Sequence, residues 1–540
     1  MVVHDAGYIP AKSDRGGDDV VRLRREAGRE QEKTTRHNHP YYREMRWNVT
    51  VVLAVIAIPA AAATCESLAQ LTLQNTTITT AQSVAAGAFT QGKQDDVFRD
   101  LPAFCRVAAT IRPVADSEIK IEVWMPSSGW NGKFRGTGNG GLGGSMNFNG
   151  IAAAMRGGYA VAGNNTGHDG GASLMMGHPE RIRDFGERAG HEMTVKAKAI
   201  VEAFYNDRPR HSYMVECGGG SMAALKAAQR FPTDYDGLVA GGLATYLTHH
   251  VFGQIWIWQA THLDPASTIP PEKFPAIHNA VLAACDRLDG VQDGVLEDPT
   301  RCKFDPKVLE CKTADGPTCL TKPQVEAARK LYAPATNPRT KKEIFGPLFP
   351  GSELLWAQSA GPAPVSISSD FFKYFAFKDP AWDPMKRPIN FDSDLALADT
   401  PENTVINAND PDIGKFTERG GKLIVYGGWS DAGIPPRLAV DYYKSVVDKL
   451  GARAVKDSMR LFMVPGMGHC NGGDATDTFD MQSAIERWVE QGKAPDRIEA
   501  SRVRDGKTDR TRPLCPYPQV AKYKGSGSTD ESANFSCKAP

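Results

Sequence analysis

From about Cys65 to Leu243, short apolar runs alternate with stretches of helical spacing. "KIEVWMP" (120–126), "GKFRGTGNGG" (132–141), "YAVAGNNTGH" (159–168) and "SYMVECGGG" (212–220) each read as a strand that ends in turn residues. Between the last two, "HEMTVKAKAIVEAFYN" (191–206) carries apolar residues near helical spacing. Strand–helix–strand alternation predicts an α/β architecture, a mainly parallel sheet with helices on both faces. From roughly Tyr246 to Asp412 the rhythm breaks into a tryptophan-rich helix ("FGQIWIWQATHL"), an acidic loop, a cysteine pair and many prolines. It resumes with "KLIVYGGWSDAG" (422–433), a helix over "PRLAVDYYKSVVDKL" (436–450), "MRLFMVPGMGHC" (459–470) and a helix at "DMQSAIERWVEQG". The expected organisation is one α/β domain made of residues 64–245 and 411–540, interrupted by an inserted lid domain over 246–410. Substrate pockets favour such a boundary.

A chain of 540 residues can bury a large core and still carry an insertion. Its 63 basic residues balance 63 acidic ones, so no net field attracts a polyanion, and a nucleic-acid partner is excluded from the reading. The segment "MRWNVTVVLAVIAIPAAAATC" places Arg46 before an apolar run from Val51 to Ile58, followed by small residues ending at Ala63. That grammar predicts a secretory signal peptide over 45–63. The run is too short to span a bilayer comfortably, so no membrane partner is expected after cleavage. Residues 1–44 are highly charged and lack apolar periodicity; they read as disordered, or as an extension upstream of a start at Met45. All ten cysteines follow the predicted cleavage point, at irregular spacings and without Cys-x-x-Cys. Five disulfides in a secreted or periplasmic protein fit this better than zinc.

Three turns follow three strands in a fixed order: the glycine turn at 217–221, "GWSDAG" with Asp431, and "PGMGHC" with His469. Nucleophile, acid, histidine is the chain order of α/β-hydrolases. Their chemistry needs an imidazole base, and a carboxylate that fixes its tautomer and steadies the imidazolium. An aspartate after a strand is commonly a turn former, and a lone histidine is commonly structural, so the signal lies in the ordered combination. Cys217 precedes the apex of the first turn and Cys470 follows His469. A bond between them would tie the two turns together and stabilise the chain by about 4 to 5 kcal/mol in the loop-entropy model. The apex itself is Gly218, which has no side chain.

Four long motifs carry a family resemblance: "AAQRFPTDYDGLVAGG" (227–242), "RGGKLIVYGGWSDAG" (419–433), "LFMVPGMGHCNGG" (461–473) and "TRPLCPYPQVAKYKGSG" (511–527). The chain resembles the tannase/feruloyl esterase family of α/β-hydrolases, which includes the bacterial mono(hydroxyethyl) terephthalate hydrolases, from about Cys65 to Pro540. The resemblance implies an α/β-hydrolase fold with a lid, and a secreted carboxylic ester hydrolase acting on small aromatic esters by a Ser-His-Asp type mechanism. It makes Asp431 and His469 the acid and base, and Cys217–Cys470 the active-site disulfide. The remaining pairs it implies are Cys65–Cys105, Cys285–Cys302, Cys311–Cys319 and Cys515–Cys537. The backbone N–H groups of Gly141, in "GTGNGGLGG" (136–144), and of Gly219 become the oxyanion donors.

The family's turn reads Cys-Ser-x-Gly-Gly, whereas this one reads Cys217-Gly218-Gly219-Gly220-Ser221. Gly218 thus stands at the nucleophile position, and no acyl-serine can form there. Ser221 lies one helical turn on and reads better as a helix-start residue than as a substitute nucleophile. A glycine apex would relieve a backbone strain of about 1–3 kcal/mol. The rival reading is an inactive homologue that binds aromatic esters or acids without turnover. No nucleotide-binding glycine motif is complete, and no organic cofactor is expected.

"CDRLDGVQDGVLED" (285–298) gathers Asp286, Asp289 and Asp293 on a glycine-containing loop. Such carboxylates suit Ca²⁺, although on composition alone a solvated acidic loop explains them as well. The resemblance implies a structural calcium site formed by these three with the carbonyls of Val291 and Val295. In "SISSDFFKYFAFKDPAWD" (366–383), Phe371, Phe372 and Tyr374 read equally as an aromatic substrate wall or as lid core. No arginine stands out as an anchor for a terephthalate carboxylate, which favours phenolic esters.

Overall fold

The computed structural model describes residues 63–92 and 95–540. The expectations for residues 1–44 and for the signal segment 45–63 lie outside these, all but Ala63. Nine strands form one sheet: β1 (Thr76–Val84), β2 (Phe104–Ile111), β3 (Ile119–Pro126), β4 (Lys133–Gly136), β5 (Ala160–Asn164), β6 (His211–Cys217), β7 (Gly237–Gly241), β8 (Lys422–Gly428) and β9 (Met459–Val464). Their spatial order is 1-2-3-5-4-6-7-8-9. Pairings among β1, β2, β3 and β5 are antiparallel, and every pairing from β5 to β9 is parallel. The antiparallel β1–β2 pair escaped the apolar-run reading because "TTITTAQSV" is an edge strand, polar along most of its length.

Alternation along the parallel strands sends side chains to two separate cores. Met214, Leu238, Ala240, Leu423, Val425 and Leu461 point to one face; Tyr213, Val239, Ile424, Tyr426 and Phe462 point to the other. Seven helices matter here: α1 (Phe148–Arg156), α2 (Ala189–Tyr205), α3 (Gly219–Arg230), α4 (Leu247–His262), α5 (Phe274–Cys285), α6 (Arg437–Leu450) and α7 (Met481–Gln491). Helices α2, α3 and α6 cover the first face, whereas α7 and α1 cover the second. Covered on both sides, these strands are mostly buried and rich in apolar residues, as parallel strands commonly are.

Between β7 and β8 the chain leaves the sheet and returns. Helix α4 is buried along nearly its whole length, on its polar positions as well as its apolar ones, and joins the sheet core to the insertion. Beyond it the insertion builds its own core from Ile257, Phe274, Ile277, Val325, Leu331 and Trp356, which also takes in Ala432 from the turn after β8. After α7, two antiparallel ribbons close the chain, Ile498–Arg504 with Lys507–Leu514 and Val520–Tyr523 with Phe535–Lys538. All ten cysteines are bonded: 65 to 105, 217 to 470, 285 to 302, 311 to 319 and 515 to 537. Asp315 lies beside Cys311 and Cys319, but those sulfurs are bonded to each other and are not thiolate ligands. No helix among the described residues is long and apolar enough to cross a membrane.

Trp356 anchors the insertion's core: it is fully buried, edge-on to Tyr332 at 5.2 Å, and its Nε1–H donates to Ser352 Oγ at 3.1 Å. Trp356→Ala should lower unfolding free energy by about 3–5 kcal/mol, read as a lower denaturant midpoint. A loss well under 1 kcal/mol would show that this core folds independently of the sheet.

Candidate active site

β6 runs through Gly218 directly into α3. Gly218 has φ +63° and ψ −126°, a region that strains any residue with a Cβ. Its N–H donates to the Gly241 carbonyl at 3.0 Å, which fixes the turn against the end of β7. A Cβ built on Gly218 would stand 2.8 Å from Nε2 of His469 and 3.3 Å from its Cε1. A side chain at this position would therefore point straight at the imidazole.

His469 sits on the loop after β9. Its Nδ1–H donates to Oδ2 of Asp431 at 2.8 Å, across 38 residues of sequence. Asp431 is almost fully buried, and the imidazole is 35% exposed. The second carboxylate oxygen of Asp431 accepts the N–H groups of Gly433 (2.9 Å) and Ile434 (2.8 Å). Burial pulls the His469 pKa down, but the hydrogen bond and charge of Asp431 outweigh it and leave it raised. With Nδ1 committed to the carboxylate, Nε2 keeps its lone pair, and among the described residues no group bonds to it.

The Cys217–Cys470 disulfide spans 253 residues and brings the elbow and the histidine loop to a Cα–Cα distance of 6.0 Å. Gly242 makes room for this arrangement: a Cβ there would lie 3.1 Å from Cys217 Sγ and 3.1 Å from His469 Cε1. On the other side of the elbow, a Cβ on Gly219 would stand 3.0 Å from the backbone nitrogen of Gly141 and 2.9 Å from the Asn139 carbonyl. The glycine loop 136–144 thus packs tightly against the start of α3. Four of the groups singled out in sequence, Gly218, Asp431, His469 and the 217–470 pair, converge at one end of the parallel strands, with Gly141 and Gly219 beside them.

A family model for tannase and feruloyl esterase matches residues 105–538. The chain belongs to the tannase and feruloyl esterase family. An uncharacterized esterase of Xanthomonas campestris pv. campestris is 38% identical over 534 residues, covering 90% of this chain and 92% of that protein. A probable feruloyl esterase B-2 of Aspergillus fumigatus is 31% identical over 457 residues, covering 80% and 86%. Among solved structures, feruloyl esterase B from Aspergillus oryzae superposes with a TM-score of 0.80 at 29% identity, over 88% of this chain and 99% of that one. A tannin acyl hydrolase from Aspergillus niger shares the fold, with a TM-score of 0.71 at 20% identity. The α/β-hydrolase architecture and a family of carboxylic ester hydrolases follow.

Several positions in this family member are clarified by the structure. Ser221 is fully buried; its Oγ donates to the Gly218 carbonyl at 2.6 Å and accepts the Ala244 N–H at 3.5 Å. The expected capping of free N–H groups at the helix start is corrected: Ser221 takes none of them and instead ties the turn carbonyl of Gly218 to Ala244, after β7. Phe371 and Phe372 are fully buried, Phe371 stacking on Phe375 at 5.4 Å, and present no surface to a ligand. Tyr374 is half-buried against the same core. A cavity does adjoin the elbow, with Asn139, Gly219, Phe185, Met222, Phe231 and Tyr235 in its wall.

In the acidic loop, Asp286 accepts the Gly294 N–H at 3.1 Å, and Asp289 accepts those of Val291 (2.8 Å) and Glu297 (3.3 Å). Asp293 accepts the Val295 N–H at 3.2 Å and pairs with Arg512. Burial raises the pKa of Asp286 and Asp289, and pushes that of Glu297 up to about 8. Of these carboxylates, Asp293 pairs with two guanidinium groups, Arg510 at 3.8 Å and Arg512. The oxygens are hard donors of the kind Ca²⁺ takes, but as they stand the side chains of Asp286, Asp289 and Asp293 do not close to within 4.8 Å of one another as a set, and Asp293 is held by Arg512.

Two residues that sequence reading missed hold the acid turn. From α4, His250 Nε2–H and Gln254 Nε2–H both donate to the Gly433 carbonyl, at 2.9 and 2.7 Å. Burial lowers the His250 pKa to about 4. An unfolded chain protonates this imidazole below its ordinary value of 6.5, whereas the folded chain resists until about 4. Stability should therefore fall as pH drops from 6.5 toward 4, by up to about 3 kcal/mol from this group. Melting curves from pH 8 to 4 should show the native chain losing more than His250→Gln; parallel losses would exonerate His250.

Proposed function

We propose that this chain is a secreted carboxylic ester hydrolase of the tannase/feruloyl esterase type, built for esters of aromatic, phenolic acids, in which Gly218 has replaced the nucleophilic serine. The observation that carries the reading is the direction of the missing side chain, aimed at Nε2 of a histidine already oriented by a buried aspartate. In this reading His469 is the base and Asp431 the residue that fixes its tautomer, while the N–H groups of Gly141 and Gly219 receive the developing oxyanion. A cavity walled by Phe185, Met222 and Phe231 reaches the elbow at Gly219. Five disulfides support export.

The absence of Oγ also favours a second reading, in which the chain holds aromatic esters or acids without turning them over. One variant separates the two. Gly218→Ser should hydrolyse methyl ferulate or methyl gallate on the order of 10⁴-fold faster than the native chain. It should also melt lower, because a Cβ at that φ costs about 1–3 kcal/mol. Ser221→Ala should leave hydrolysis by that variant unchanged. If folded Gly218→Ser binds these esters yet cleaves none, the esterase reading is wrong and the binder reading stands.

Asp286, Asp289 and Asp293, with the carbonyls of Val291 and Val295, would hold Ca²⁺, whose part would be structural, offsetting the charge of carboxylates that burial penalises. Calcium should raise the melting temperature of chelator-treated protein, and Asp289→Asn should abolish most of that rise. An unchanged melt with calcium would dismiss the site.

A further inference from the structure

Removing a serine side chain from an elbow would be expected to leave a gap between the apex and the base. Here no such gap of full size exists. Nε2 of His469 stands 2.8 Å from the Cβ position of Gly218, so the ring lies closer to the apex than it could beside a side chain, and a serine there would have to push it back by a few tenths of an ångström. Asp431 orients the ring through Nδ1, so the lone pair on Nε2 is aimed at that apex. The glycine loop packs against the α3 start next to this apex, with the backbone nitrogen of Gly141 3.0 Å from the Cβ position of Gly219. The ring is 35% exposed and can meet a ligand. The atom standing where the family's nucleophile would react is therefore itself a nucleophile, because a neutral imidazole nitrogen attacks acyl carbon.

We infer that His469 is the acyl acceptor of this chain: its Nε2 attacks the ester carbonyl directly, and the substrates it can serve are esters whose leaving group is a phenol. The inference rests on the esterase reading above and deepens it. In the first step a bond forms between Nε2 and the carbonyl carbon, and the carbonyl π pair moves onto oxygen, beside the N–H groups of Gly141 and Gly219. The tetrahedral adduct collapses, the C–O bond breaks, and the leaving oxygen departs with its electron pair. What remains is an acyl-imidazolium, with the proton on Nδ1 still held by Asp431. Water then adds to the acyl carbon, the C–N bond breaks, and its pair returns to Nε2. Of the two protons that water gives up, one is taken by the departed phenolate and one goes to solvent. The sum is ester plus water giving carboxylate, phenol and a proton.

The restriction to phenolic leaving groups follows from the first adduct. Imidazole, with an ordinary pKa near 6.5, is a far better leaving group than an alkoxide, so an alkyl ester adduct reverts. A phenolate, whose conjugate acid has a pKa near 10, departs without needing a proton and competes with the return. Serine-dependent relatives face no such limit, because their histidine protonates the leaving alkoxide. Gly218 thus changes which ester is cleaved as well as how fast. The substrate class is the aryl ester of an aromatic acid, such as a depside in which one phenolic acid is esterified to the phenol of another.

The test uses the full chain with phenyl ferulate and methyl ferulate, beside Gly218→Ser and His469→Gln. The native chain should cleave phenyl ferulate faster than methyl ferulate by at least about two orders of magnitude. Acid-quenched native protein should carry the mass of one feruloyl group on the peptide containing His469. The adduct should vanish with hydroxylamine and be absent in His469→Gln. Equal preference in the native chain and Gly218→Ser, acylation elsewhere, turnover without an adduct, or no turnover each overturns the inference. If Gly218→Ser cleaves both esters while the native chain acylates nothing, only this inference fails. If a folded Gly218→Ser cleaves neither, the esterase reading fails with it. The adduct measurement needs only the native chain, so a misfolded variant does not decide it.

Discussion

The disulfide between Cys217 and Cys470 joins the end of β6 to the loop after β9, and two strands, β7 and β8, lie between them. Three strand spacings amount to about 14 Å. To close that span, the turn after β7 and the loop after β9 must pass over the intervening strand ends almost in contact. That is why Gly242 is needed beside the sulfur, and why Gly428 ends β8: a Cβ there would stand 2.1 Å from the Met467 carbonyl. The bond sets the separation of the elbow from the imidazole, and the tight crossings hold the loop in register. Everything the site does chemically is conditional on this clamp.

A second layer of support comes from outside the sheet. Asp431 is buried with both oxygens committed, one to the imidazole and one to the N–H groups of its own turn. The turn in turn hangs on α4 through the Gly433 carbonyl, and Ala432 packs in the core of the insertion. The carboxylate's orientation is therefore a property of the insertion as much as of the strand that precedes it. Placing His250 at the base of this arrangement, neutral and fully dehydrated, keeps a second positive charge away from His469.

Much of this was legible in the chain. Parallel strands buried on both faces announce themselves as apolar runs, and the three turns after them fell in a diagnostic order, so the elbow, Asp431 and His469 could be named from sequence. The polar edge strand β1 and the C-terminal ribbons were not legible, because a strand with one partner or one covered face carries little apolar signal. His250 and Gln254 were hidden for a different reason: their acceptor is a main-chain carbonyl some 180 residues away, which no side-chain pattern encodes. Phe371 and Phe372 show the opposite failure. A cluster of aromatic residues signals burial first, and only the fold places Phe371 and Phe372 in the core shared with the sheet rather than in a ligand wall.

The apex conformation of the elbow has a consequence for how this chain tolerates change. At φ +63° a serine is held in place by the rest of the fold against its own preference, while a glycine is at ease. Proteins sit only slightly above the stability needed to persist, so freeing even about 1–3 kcal/mol widens the set of substitutions the remainder can absorb. A domain with glycine at this apex therefore has more mutational latitude elsewhere than one that must hold a strained residue there.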